Sequence, residues 1–323
     1  MMDLELLSLP TEILAKIFSN IPWNELINIK LCARKFNYVT EKYLKDMQKP
    51  KLNSIDFECK STHNEGIDRI RIAYKILLTE ANNSKVISDE KEFFLLPSEI
   101  GKLHGFLKKV DLTSLDCVDI SLCDYAEVLG IFNDYFHNTN KVEDICLYVS
   151  NSEEDIGNTF SFLEKIQNVG CLELILHLPH LNVSKDFIIP VRNSLEALDI
   201  WEEGDTAFVN PRMIKYIVEN NPDLCEFRFT LSSLETYKMV IETIVKGELA
   251  RRNNGCLHRH ISLFLCFSSV ETSFELLSYL NSEEFPYSGT NTMQEEDILY
   301  IGRFDCPVCG EFDTVGVYKD EFY

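Results

Sequence analysis

Leu195-x-x-Leu198-x-Ile200 and, one segment further on, Leu224-x-x-Phe227-x-Phe229 set the rhythm of this 323-residue chain. Apolar residues at alternate positions put one face of a strand toward a core and the other toward something else. The same phrase lies upstream in Leu52-x-x-Ile55-x-Phe57, Leu107-x-x-Val110-x-Leu112 and Val142-x-x-Ile145-x-Leu147. Looser versions are Cys171-Leu172-Glu173-Leu174-Ile175-Leu176 and His258-Arg259-His260-Ile261-Ser262-Leu263. Helical spacing predicts helices over 66–80, 122–137, 154–168, 211–220, 233–246 and 270–281, a shorter one near 184–189, and an extra strand over Glu92 to Leu96. In Asn220-Asn221-Pro222-Asp223-Leu224 the proline stops a helix and the next strand begins. The fold class this predicts is α/β.

The second apolar position of the phrase steps through 110, 145, 174, 198, 227 and 261, at intervals of 35, 29, 24, 29 and 34. A strand and a helix recurring at about 20–29 residues resemble a leucine-rich repeat, with longer intervals read as insertions. The form is degenerate, without the regular asparagine or cysteine after each strand. It implies a curved α/β solenoid over 49–285, followed by a capping segment or tail over 286–323. A non-repeat α/β domain with similar alternation is the competing architecture.

Composition narrows the function classes. The chain is 45% apolar with only 13 Gly and 10 Pro, as expected of a folded protein and not of a disordered one. Its start lacks a basic region followed by a long apolar stretch, so a signal peptide is not expected. The longest apolar run, Ile261 to Phe267, is far short of the roughly 20 residues of a membrane helix. These features predict an intracellular protein, cytoplasmic or nuclear, whose 11 cysteines are reduced and buried. The net charge of -21 disfavours phosphate backbones and leaves basic partners open. Residues 1–50 hold seven Lys/Arg and six Asp/Glu, so the acidity belongs to the remainder, with 24 against 46.

The near-neutral N-terminus has its own pattern. Leu9-Pro10-Thr11-Glu12-Ile13-Leu14 reads as a helix start, with Pro10 at the first helical position and Glu12 in the positive first turn. Ile13, Leu14, Ile17, Phe18 and Ile21 recur at helical spacing, Trp23, Leu26, Ile27 and Leu31 form a second stripe, and Cys32, Phe36, Val39 and Tyr43 a third. Three short helices are too few to bury all these side chains, so part of this surface should meet a partner.

In order and spacing, Leu9-Pro10-x-Glu12-Ile13-Leu14-x-x-Ile17-Phe18-Ser19-x-Ile21-Pro22-x-x-x-Leu26, then Leu31-Cys32-x-x-x-Phe36, resembles the F-box family. Family members often have Leu, Val and Trp where this chain has Ile21, Leu31 and Phe36. The resemblance implies a three-helix F-box over 1–48. It would dock on the Skp adaptor of a cullin-RING ubiquitin ligase, with Leu9, Pro10, Ile13, Leu14, Ile17, Phe18, Ile21, Pro22, Leu26 and Cys32 at or under the interface. The chain would then be a non-catalytic substrate receptor of an SCF-type E3 ligase. Alternatives are an interaction scaffold acting outside a ligase and, less favoured, a zinc protein. Cys32 has no base or resolving thiol nearby in sequence, and packing is its expected role.

On the strands, positions alternating with the core set would form a concave face for a protein target. Asp144, Tyr148, His177, Asp199, Trp201, Glu226 and Arg228 are the candidate binding residues, with Tyr148, His177, Trp201 and Phe264 expected in one column. Carboxylates there would select a basic segment. Cys306-Pro307-Val308-Cys309-Gly310 resembles one knuckle of a zinc ribbon. No second C-x-x-C exists, so Cys256, His258, His260 or Cys266 would have to complete it through the fold. The expectation is an ordinary turn, with no metal and no cofactor. His177 and His180 make a poor metal pair, the Lys108-Lys109 and Arg251-Arg252 pairs are too short for a nucleic-acid stripe, and no P-loop, Rossmann or nucleophile-elbow motif is present.

Overall fold

Most of the alternating phrases become neighbouring strands of one sheet. The computed structural model describes residues 6–60, 69–79, 85–123, 125–150, 156–177, 183–203, 208–251, 258, 260–287, 298–306 and 308–320. Three helices come first: α1 (Thr11–Phe18), α2 (Trp23–Cys32) and α3 (Arg34–Lys42). The sheet follows with β1 (Lys51–Lys60), β2 (Arg69–Thr79), β3 (Lys85–Ile87), β4 (Lys91–Leu95), β5 (Cys117–Cys123), β6 (Val142–Ser150), β7 (Val169–His177), β8 (Ala197–Glu203), β9 (Glu226–Thr230), β10 (His260–Cys266), β11 (Ile298–Asp305) and β12 (Phe312–Asp320). Between strands lie α4 (Lys102–Leu107), α5 (Ala126–Tyr135), α6 (Ile156–Leu163), α7 (Pro211–Asn220), α8 (Leu234–Arg251) and α9 (Val270–Leu280).

The spatial order is β11-β12-β10-β9-β8-β7-β6-β5-β1-β2-β3, with β4 also on β2. From β5 to β10 each strand pairs in parallel with the next in sequence. Antiparallel hairpins finish both ends: β2 with β3 and β4 at one, β11 with β12 at the other. The helices pack in chain order, α4 on α5, α5 on α6, α7 on α8 and α8 on α9. They cover the face carrying Ile145, Leu147, Leu172, Leu174, Leu198, Ile200, Phe227 and Phe229, all almost fully buried. Phe57 of β1 meets Phe132 of α5 at 5.2 Å between ring centroids, and Phe132 meets Phe162 of α6 at 6.0 Å. Among the described residues the protein is thus an α/β fold with a twelve-stranded, mostly parallel sheet.

Buried asparagines hold the turns that lead into the strands. Asn221, which has no solvent exposure, receives the Leu195 N–H at 3.2 Å and donates to the Val191 and Ile217 carbonyls at 3.0 and 2.9 Å. Asn138 accepts the Gln167 and Asn168 N–H groups at 2.6 and 2.5 Å and donates to the Asn168 carbonyl at 2.8 Å. Asn221 thereby supplies partners to the backbone of Val191, Leu195 and Ile217, residues with no solvent exposure. Asn210 caps α7 by accepting the Met213 N–H at 2.9 Å, and Pro211 takes the first helical position.

Several local expectations fail for identifiable reasons. Residues 66–80 do not form a helix; Arg69–Thr79 is a strand whose Ile70, Ile72 and Ile76 alternate into the core once β1 pairs alongside. Leu107-x-x-Val110-x-Leu112 is not a strand. Leu103, Leu107 and Val110 are buried at helical spacing at and beyond the end of α4, and the strand is Cys117–Cys123, ten residues later. No helix forms near 184–189, where the Ser184 carbonyl receives the Phe187 N–H at 2.9 Å in a turn. Pro10 is the residue before α1 and not its first residue. The segment 286–323, expected as a cap or tail, contributes the strands β11 and β12 to the sheet.

Cysteine placement differs too. Of the nine cysteines whose side chains are described, only Cys266 and Cys306 are buried. Cys117, Cys146 and Cys171 are half-buried because they alternate with the core residues of their strands. Cys32 is exposed at the end of α2, its thiol directed at the Asn28 carbonyl at 3.4 Å. Extended backbone at Ala33 breaks the helix there, which takes Cys32 out of register with the Phe36–Val39 stripe.

Candidate functional site

Two surfaces remain incompletely covered, one on the helical module and one on the sheet. The module has its own small core of Leu14, Ala15, Phe18, Leu26, Val39 and Met47, flanked by Leu9, Ile21, Ile29, Phe36 and Tyr43. Phe18 and Phe36 meet edge to face at 5.3 Å, and Lys35 ties α3 to the chain before α1 by donating to the Leu7 and Leu9 carbonyls at 2.7 and 2.8 Å. Trp23 turns the other way and packs on the sheet's core.

The expected adaptor-binding residues therefore divide. Leu14, Phe18 and Leu26 are spent inside the module, Leu9 and Ile21 are half-buried, and Pro10, Ile13, Ile17, Pro22 and Cys32 are exposed. Ile27 at 51% and Leu31 at 82% exposure, neither assigned a docking role from sequence, extend the apolar surface. So many exposed aliphatics in one small module are costly in water unless something covers them.

On the sheet, no described helix covers the opposite face, and its described residues are mostly half-buried. Parallel strands are normally covered on both faces, so one left without helices is a candidate surface for binding. Pairing register gives a transverse row of Asp56, Asp119, Cys146, Glu173, Asp199, Arg228, Phe264 and Tyr318, one residue per strand from β1 to β12. Partial burial pushes the carboxyls of Asp56 and Asp119 above their ordinary range, and that of Asp199 up to about 6. For Asp199, attraction from Arg228 opposes burial, while Glu173, Asp320 and Glu226 reinforce it. The Cys117, Cys146 and Cys171 thiols are likewise pushed up, first by burial and then by neighbouring carboxylates, Asp144 for Cys117 and Cys171 and Glu173 for Cys146.

Two arginines flank the acidic stretch of the row, Arg71 beside Asp56 and Arg228 beside Asp199. Arg71 meets Asp56 at 2.8 Å, Glu90 and Glu92 at 2.6 Å each and Glu58 at 3.5 Å. Arg228 lies 3.1 Å from Asp320 and 3.8 Å from Asp199, with its guanidinium over Phe264. Arg71 lies in the segment whose spacing also fits a helix, and only its strand pairing with β1 brings it beside Asp56.

Tyr148, His177 and Trp201 cluster, with ring centroids 5.2 Å apart for Tyr148–His177 and 6.1 Å for His177–Trp201. They do not form the expected single column. Tyr148 and Trp201 share the row of Ile175 and Thr230, His177 lies in the row of Ser150, and Phe264 stacks on Tyr318 in the acidic row. The stagger between parallel strands decides this, and residue spacing along one strand does not contain it. Asp144 and Glu226 lie exposed near the strand starts, in the row of Cys117, Cys171, Ala197 and Ser262.

Elsewhere, Lys45, Lys49, Lys51, Lys108 and His137 line a cleft of about 600 Å³ between the helical module and the sheet, so Lys108 belongs to a basic group. Of the donors considered as companions to Cys306 and Cys309, His258 stands with them: the three ligand atoms all lie within 4.8 Å of one another. His260 instead contacts Thr314 and Tyr318, and Cys266 is at the far end of β10. Cys256 and His180 fall outside the described residues.

No protein-family model matches the chain, and no curated protein matches it. No helix among the described residues is long and apolar enough to cross a membrane.

Proposed function

We propose that this chain is an F-box protein, the substrate-recognition subunit of an SCF-type cullin-RING E3 ubiquitin ligase. The α1–α3 module docks on a Skp-type adaptor joined to the cullin, and the sheet face opposite the helices holds a target protein through a basic segment. The observation that carries this reading is the exposure of Pro10, Ile13, Ile17, Ile27 and Leu31 on a module that already has an internal core. Pro10, Ile13 and Ile17 are residues the F-box resemblance assigns to docking. A leucine-rich-repeat-like solenoid is the finer architecture we propose. It is supported by the run of parallel strands adjacent in sequence and space, with the β5–β10 core residues under helices on one face.

The chain itself performs no chemistry in this role. It holds a target lysine near the charged conjugating enzyme and so raises its effective concentration. The aromatic cluster of Tyr148, His177 and Trp201 supplies apolar anchors, and Asp199 with Glu173 supplies charge complementary to lysine or arginine.

Co-purification with the Skp adaptor and a cullin tests the reading. Replacing exposed Ile13 and Ile17 together by Asp should abolish capture while leaving the module's own core untouched. Undiminished capture by the folded double variant, or no capture by the native chain, overturns it.

A further inference from the structure

Between β11 and β12 the chain turns through Cys306-Pro307-Val308-Cys309-Gly310. The Cys306 N–H donates to the Glu311 carbonyl at 2.6 Å, and the Gly310 N–H returns to the Cys306 carbonyl at 3.1 Å. Gly310 has φ +79°, a conformation open to glycine and strained for other residues. The Cys306 and Cys309 sulfurs come within 4.8 Å of each other at this turn. Because β12 pairs in parallel with β10, with His260 opposite Thr314, the chain just before β10 runs beside the start of β12. His258 consequently reaches the turn: its Nε2 lies 3.0 Å from the Cys309 sulfur.

We infer that His258, Cys306 and Cys309 bind a zinc ion, independently of the ligase reading. Two thiolates and an imidazole are a donor set for zinc and a poor one for hard cations that prefer oxygen. Around a tetrahedral zinc with bonds of about 2.0–2.3 Å, ligand atoms stand roughly 3.6–3.8 Å apart, and all three here lie within 4.8 Å. Seating the ion requires Cys309 and His258 to separate by about half an ångström, which an exposed turn residue can supply.

The surrounding groups fit the same assignment. Asp313, 8% exposed, has Oδ1 3.3 Å from His258 Nδ1. With a proton on Nδ1 donated to that carboxylate, the Nε2 lone pair faces the two sulfurs, the arrangement by which a carboxylate orients a metal-bound histidine. No described residue supplies a fourth ligand. The ion would tie the chain before β10 to the β11–β12 hairpin, pinning the end of the sheet where a two-stranded hairpin alone would be weakly held.

The test uses the full chain purified without chelator. Elemental analysis should find about one zinc per chain. Cobalt substitution should give the near-ultraviolet absorption of thiolate-bound cobalt. Cys309→Ser, at an exposed position, should remove most of the metal, whereas Cys225→Ser, another exposed cysteine, should leave it in place. Asp313→Asn should weaken zinc binding by roughly 10–100-fold without removing a ligand. Chelation should lower the melting temperature of the native chain and not that of Cys309→Ser. A native chain without zinc, zinc content indifferent to Cys309→Ser, or Cys306 and Cys309 recovered as a disulfide overturns the inference.

Discussion

Replacing Asp199 by Asn should change how stability depends on pH, and the size of the change follows from its surroundings. The carboxyl is pushed up to about 6 from an ordinary 3.8, first by burial, with Glu173, Asp320 and Glu226 adding repulsion and Arg228 opposing. The folded state therefore holds this proton more tightly than the unfolded chain does. The resulting stability is fully present below the unfolded value and is lost as pH rises through about 6. A gap of about 2 units corresponds to about 3 kcal/mol. The side chain retains 28% of its exposure, and solvent screening reduces the expected effect to about 1–2 kcal/mol. Asparagine has nearly the same shape and no charge, so urea unfolding of both proteins across a pH series isolates this group from the other titrating acids. Their stability difference should be near zero around pH 4 and should move in favour of Asp199→Asn by about 1–2 kcal/mol near pH 7.5. A pH-independent difference, or one of opposite sign, would refute the account of a carboxylate held charged at a cost on the face opposite the helices.

Other outcomes follow from the same structure. Leu31→Ala should weaken adaptor binding by roughly 5- to 70-fold, since burying this residue, now 82% exposed, is worth about 1–2.5 kcal/mol; titration calorimetry reads the loss, and an unchanged melting temperature shows that the fold is intact. Asn221→Ala leaves several buried backbone groups without partners and should cost about 2–4 kcal/mol in urea unfolding. Gly247→Ala places a Cβ 2.5 Å from a Val218 methyl where α8 crosses α7, and should cost about 1–3 kcal/mol by overpacking, read as a lowered melting temperature. Joint charge reversal of Asp144, Asp199 and Glu226 should reduce capture of basic target peptides in pull-down while sparing the adaptor; unchanged capture would place the target elsewhere.

The legible parts of this fold were those where one periodicity excluded the other. Residues 211–220 have an apolar stripe with Pro222 beyond, and α7 occupies that range. By contrast, Arg69-Ile70-Arg71-Ile72-Ala73-Tyr74-Lys75-Ile76 satisfies a helical stripe and a strand alternation alike. Pairing with β1 selects the strand, and with it brings Arg71 to the end of the acidic row. Val110 was misassigned for the converse reason, because the last positions of a helical stripe copied the strand phrase.

By itself, the sequence determined which residues face the core along most strands, where several helices begin and end, and that the N-terminal helices carry more apolar surface than their small core can use. These properties depend on neighbours a few positions away. Tertiary structure alone decided that Asp56, Asp119 and Asp199 lie in one row, that His177 falls out of line with Tyr148 and Trp201, and that His258 meets a cysteine 51 residues away. The physical reason is that strand register and turn placement arise from pairing between distant segments, set by side-chain packing across the sheet, and a period of two read along one strand carries no information about its stagger against the next.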